Sequence, residues 1–194
     1  MIRKAIPVRE AIEAVMAHRT NLREEVIALE NAYGRILAEP IIAKHPVPPF
    51  DRSAYDGFAI RAEDTVGATA KQPVFFKQIG EIGAGHVGKK SVGKNEAYRI
   101  MTGAKLPDGA DAIVMLEHTE AKDGGFTLSA QLASHDNVSF QGEDAEVGEV
   151  LIEKGALIHP GTVALLATFG YAEVKVAREP RVSIVATGTE LLDV

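Results

Sequence analysis

The 194-residue sequence predicts an α+β, multidomain chain: a mainly-β domain inserted into a helix-containing domain, with the first strand of an α/β domain at the end. Three observations predict it. Apolar residues near the N-terminus recur at helical spacing. The middle breaks into short apolar runs separated by Gly, Pro, Asp and Lys, the pattern of many short strands. The last residues read as a buried strand with no crossover unit to supply its neighbours. The expected boundaries are 1–45 and 142–179 for the two parts of the helical domain, 46–141 for the inserted β domain and 180–194 for the truncated α/β domain.

Val8, Ala11, Ile12, Val15 and Met16 form the helical stripe, with Arg9, Glu10, Glu13 and Arg19 off it. Pro7 suits the first turn, where its missing N–H has no partner to lose. Glu25–Ala28 reads as a short strand, and Leu29–Tyr33 as a brief helix stopped by Gly34. Within the β domain the apolar runs are Val74–Phe76, Tyr98–Met101, Ala112–Leu116 and Phe126–Leu128. Pro160 and Thr162 open a second helix that Gly170 closes, and Ala172, Val174 and Val176 alternate with charged residues as a half-buried strand does. Arg181–Ala186 then resembles a strand of a parallel sheet, and Thr187–Leu192 its following turn.

The composition narrows the functional classes. Apolar residues at 46% and charged residues at 25% describe a globular chain rather than a disordered one. No apolar run is long enough to cross a bilayer, and Met1–Pro7 has no apolar signal core, so a cytoplasmic location is expected. With no cysteine there are no disulfides or thiolate metal sites. A net charge of −6 argues against nucleic acid as partner, although an anionic small ligand answers to a local cluster instead.

Several motifs invite a chemical reading. Gly83-Ala84-Gly85-His86-Val87-Gly88 matches the dinucleotide pattern, but no helical stripe follows it, so it reads as a β-hairpin connection. The six histidines show no metal-ligand spacing. Two segments stand apart: Pro48-Pro49-Phe50-Asp51-Arg52-Ser53-Ala54-Tyr55-Asp56-Gly57-Phe58-Ala59 and Arg99-Ile100-Met101-Thr102-Gly103-Ala104. Each sets turn residues, a short hydroxyl and small side chains between strand-like runs, as a scaffold does when it offers polar groups to a ligand. Asp51, Ser53, Asp56 and Thr102 either cap backbone N–H groups there or meet that ligand. Asp56, Glu143, Asp144 and Glu190 are oxygen donors of the kind Mg²⁺ accepts.

In order and spacing, Pro48–Arg61, Arg99–Glu117, Gly142–Asp144 and Thr187–Leu191 resemble the molybdopterin molybdenumtransferase family, the MoeA type that includes the gephyrin E domain. The resemblance implies a helical linker domain, an inserted β domain and a molybdopterin-binding α/β domain in a homodimeric protein. It further implies insertion of molybdenum from molybdate into adenylated molybdopterin with release of AMP, assisted by Mg²⁺. The molybdopterin adenylyltransferase becomes an expected partner, and this piece alone is expected to be inactive. Matched motif by motif, Asp56, Thr102 and Glu190 take catalytic roles, Ser53 and Asp144 cofactor-binding roles, and Asp56 and Glu190 metal-ligand roles. Thr102 is expected to donate a hydrogen bond to the substrate anion.

The chain departs from the family pattern at Arg52, where Asn is common, and at Tyr55, where Met is common. Thr189 replaces an aspartate, and Ser139-Phe140-Gln141 fills a stretch often rich in arginine. The alternative function is a non-catalytic dimerisation or scaffold module of gephyrin-like type, for which Asp56, Thr102 and Asp144 need not converge.

Overall fold

A computed structural model describes residues 5–18 and 23–183. Its secondary structure is mostly β, with two α-helices, Val8–Ala17 and Pro160–Thr168, among the described residues. The chain divides into two compact units, Met1–Ile41 with Val150–Val194, and Ile42–Glu149. None of the helices is long and apolar enough to cross a membrane among the described residues.

In the first unit, strand Glu24–Ala28 pairs antiparallel with Glu173–Ala177. Its core gathers Ala32, Leu37, Ile41, Ile158, Leu166, Val174 and Val176. The segment after Ala28 is a single 3₁₀ turn, Leu29–Asn31, rather than a longer helix. Gly34 explains the stop: it takes a φ of +79° and gives its N–H to Ile158. Arg35 closes the edge of the sheet by donating to Glu25 at 2.5 Å and to the Ala177 carbonyl at 2.9 Å.

The Pro160–Thr168 helix is capped by a residue the composition did not suggest. His159 Nδ1 accepts from the Gly161 and Thr162 amides at 3.1 and 3.4 Å, so a ring nitrogen does the work usually given to Ser or Asp. The N-terminal helix forms over the stripe the spacing predicts, yet it buries none of its residues. Val8 and Val15 are 77% and 72% exposed, because no described element covers that face.

The second unit is built on a six-stranded sheet in the order Ala112–Met115, Gly57–Ile60, Glu96–Ile100, Val74–Ile82, Gly125–Leu128, Thr119–Lys122. Alternate residues of the same strands feed two cores. Phe58, Ile60, Phe76, Ala97, Val114, Phe126 and Leu128 fill one face. Ala59, Ile82, Tyr98, Ile100 and Ile113 fill the other. This explains why Gly57–Ile60 is buried at every position and reads as an unbroken apolar run.

One expectation is corrected here. Val74–Ile82 and Glu96–Ile100 are parallel neighbours, so residues 83–95 are a crossover loop and not a hairpin connection. Parallel strands run the same way, and the chain must return along the sheet before it can pair again. The loop contains no helix, which leaves the glycine motif without the helix N-terminus a nucleotide needs.

The β unit also runs wider than the 46–141 segment read from composition. Residues 142–149 fold back on 43–47: Val47 N–H donates to the Ala145 carbonyl, and Gly148 N–H to the Ala43 carbonyl, both at 2.9 Å. Gly142–Asp144 therefore belongs to the β unit. The strand expected at Arg181–Ala186 lies, from residue 184 on, outside the described residues, as does Glu190.

Candidate functional site

The two motif segments, separated by some forty residues of sequence, are held edge to edge by backbone hydrogen bonds. Gly103 N–H donates to the Ser53 carbonyl at 2.9 Å, Ser53 N–H to Ala104 at 3.0 Å, and Leu106 N–H to Asp51 at 2.9 Å. Gly103, at a φ of +78°, supplies the left-handed turn that brings the second segment round. Gly57 is required for a different reason: a Cβ there would overlap the Val114 carbonyl of the neighbouring strand. These constraints fix where Asp56 and Thr102 stand.

Asp56 Oδ1 accepts the Thr102 amide at 2.7 Å and the Thr102 hydroxyl at 2.8 Å. Both donors favour the ionised carboxylate. The Thr102 backbone N–H, then its hydroxyl, and least of all the Arg99 charge hold the Asp56 pKa below its ordinary 3.8, against an opposing effect of burial larger than the Arg99 contribution. Asp56 is thus an exposed carboxylate whose Oδ2 has no donor among the described residues. A hydroxyl has one proton, and here it goes to Asp56, so Thr102 orients the acid.

Ser53 is 1% exposed, and its hydroxyl donates to the Tyr55 carbonyl at 2.5 Å while accepting from the Tyr55 amide at 3.4 Å. That use shapes the loop leading to Asp56. Asp144 lies across from the Arg52 guanidinium at 3.8 Å, while its own amide donates to Val47. The surrounding segment is fastened by two acids, Glu143 and Asp51, the second in the backbone-capping role its turn-rich setting suggested. Glu143 accepts from the Ser139 hydroxyl at 2.8 Å and the Phe140 amide at 2.7 Å, which lowers its pKa. Asp51 accepts from the Gln141 amide at 2.8 Å.

Arg99 was overlooked. It opens the Arg99–Ala104 motif and is a cation beside the buried apolar residues Ala97, Tyr98 and Ile100, which was the available signal. No group of three or more acid or histidine side chains gathers in a metal-holding arrangement among the described residues. A cleft of about 510 Å³ lies along the paired segments, lined by Phe50, Asp51, Lys105, Pro107, Asp108 and Gln141, but by neither Asp56 nor Thr102.

Residues 6–170 match the family model of the MoeA N-terminal region, domains I and II. The chain belongs to the MoeA family. A molybdopterin molybdenumtransferase from Staphylococcus aureus is 48% identical over 192 residues, covering 99% of this chain and 46% of the relative. The Staphylococcus epidermidis enzyme of the same name is 45% identical over the same shares. A crystal structure of a molybdopterin biosynthesis MoeA protein from Pyrococcus horikoshii superposes with a TM-score of 0.88 at 37% identity, over 91% of this chain and 47% of that one. The chain spans about half the length of the curated relatives it matches. Asp56 and Thr102 therefore sit within the matched MoeA region, and the Asp56–Thr102 contact is a feature of that fold's β unit in this member.

Proposed function

We propose that the complete protein inserts molybdenum from molybdate into adenylated molybdopterin and releases AMP. The observation that carries this reading is the Asp56–Thr102 pair, an ionised, exposed carboxylate locked in one orientation on a chain of the MoeA family. Fixing a charge in advance is useful where phosphate chemistry moves charge, because no reorganisation is needed at the moment of reaction. Thr102 holds the carboxylate, Ser53 shapes the loop beneath it, and Gly57 lets the strand pass close enough to present it.

Magnesium belongs to the same proposal. Asp56 Oδ2 offers one ligand position, and Mg²⁺ commonly takes its remaining ones from substrate phosphates and water, so the residues suit such a shared ion but not a protein-only metal centre. When bound, the ion would offset negative charge on the phosphate oxygens. Asp144 and Glu190 are the further residues assigned to substrate and metal.

The exposed stripe of Val8, Ile12, Val15 and Met16 supports the proposed homodimer, since an apolar face of that size is normally covered. A cytoplasmic location and a handover of substrate from the molybdopterin adenylyltransferase complete the reading. The experiment is direct: supply the complete protein with adenylated molybdopterin and molybdate, and follow AMP release together with molybdenum cofactor formation. Absence of both products overturns the proposal.

A further inference from the structure

Among the described residues Arg99 is the one cation whose charge acts on Asp56, and its surroundings are unusual. Its strand also carries Glu96, which pairs with Lys90, while Ala97, Tyr98 and Ile100 are all buried. In the antiparallel register Arg99 lies opposite Phe58, and its guanidinium carbon stands 5.7 Å from the centre of the Phe58 ring. Phe58 is itself held by Phe126, stacked at 4.0 Å, so the surface under the guanidinium is rigid. Arg99 Nε is buried and has no hydrogen-bond partner, and no carboxylate forms an ion pair with Arg99 among the described residues.

That arrangement calls for an acceptor. Nε itself is enclosed by protein, so on this half-buried side chain the terminal N–H groups, which also have no hydrogen-bond partner among the described residues, are the donors left for an incoming acceptor. A guanidinium stacked on an aromatic ring keeps its planar fork oriented, the geometry suited to a phosphate's paired oxygens. The location fits too: Arg99 is three residues before Thr102, while Phe58 is two residues after Asp56. Since Thr102 gives its single hydroxyl proton to Asp56, the pair itself has no donor left for an anion.

We propose that Arg99 is a substrate-binding residue whose guanidinium takes a phosphate oxygen of the adenylated substrate beside the Asp56–Thr102 pair. The inference rests on the molybdenum-insertion reading and adds to it the donor that the pair lacks. Asp56 and Arg99 then divide the work. The acid faces the cationic side of the substrate complex, and the guanidinium faces its anionic side.

The test uses the complete protein carrying Arg99→Met or Arg99→Lys. Methionine keeps an apolar stem over Phe58, and lysine keeps the charge without the fork. Steady-state kinetics with adenylated molybdopterin are measured alongside calorimetric binding of AMP and thermal melting. For Arg99→Met the KM should rise about 10- to 100-fold, the range expected for a lost charge-assisted hydrogen bond, with kcat changed far less. AMP binding should weaken in parallel, and Arg99→Lys should recover part of both losses. Wild-type KM and AMP affinity in Arg99→Met overturn the inference. So do equal losses in both variants accompanied by lowered melting, which would make Arg99 structural. If the unmutated complete protein neither releases AMP nor forms cofactor, the underlying reading fails, and the inference falls with it.

Discussion

Thr102 gives both its amide and its hydroxyl to one oxygen of Asp56, at 2.7 and 2.8 Å, although the two residues lie far apart in sequence. A side chain gripped twice on Oδ1 cannot rotate, so Oδ2 and the negative charge keep one direction. This relationship is the centre of the candidate site, and the first prediction follows from it. Asp56→Asn in the complete protein keeps the size of the side chain and one acceptor oxygen but removes the charge. Molybdenum insertion should fall by about two orders of magnitude, the scale for losing one preorganised electrostatic group. Unchanged insertion, measured as cofactor formed per enzyme, would remove Asp56 from the site.

Thr102→Val separates orientation from charge. It deletes the hydroxyl and leaves the backbone N–H, so the smaller of the two Thr102 contributions to the Asp56 pKa is lost. The folded pKa lies below the ordinary 3.8, so any stabilising effect of this carboxylate is present above 3.8 and disappears as pH falls through the lowered value. Carboxyl carbon NMR should find Asp56 titrating below 3.8 in the native chain and closer to 3.8 in Thr102→Val. A native titration at or above the ordinary value contradicts the hydrogen-bonding described here.

The site depends on the aromatic core beneath it. Phe126 is buried between Phe58, at 4.0 Å, and Phe76, at 5.4 Å between ring centres. Phe126→Ala should destabilise the β unit by about 3–5 kcal/mol, combining lost burial with the cavity left behind. Chemical denaturation followed by circular dichroism measures it. A loss below about 1 kcal/mol would mean this core does not support the sheet as described.

A further expectation concerns the 194 residues by themselves. Since they span 46% of the Staphylococcus aureus relative, they should show no molybdenum insertion in isolation, even with adenylated molybdopterin and molybdate in excess. Cofactor formation by this purified polypeptide alone would show that the chemistry resides wholly within it.

Much of the architecture was legible from local pattern. Ala112–Met115 and Phe126–Leu128 announce themselves as apolar runs, and Val174 and Val176 by alternation, because burial selects side chains residue by residue. The Val8–Ala17 helix was equally plain, yet its spacing says nothing of whether a partner surface covers it. The lack of a helix after Gly83–Gly88 was legible, while the segment's place in a parallel crossover was not, since strand direction is a pairing property. Arg99 passed unnoticed because one charge in an apolar run acquires meaning only from the ring it lies on.

The sequence by itself determined the residue types of the site and the strands that flank them, for these follow from hydrophobic period and turn chemistry. Only tertiary structure decided their partners. It turned the Thr102 hydroxyl toward Asp56, set Arg52 opposite Asp144, and committed the Ser53 hydroxyl to its own loop. The physical reason is that a hydrogen bond is settled by the distance and direction between two groups. Composition and spacing along a chain carry neither once that chain has folded back on itself.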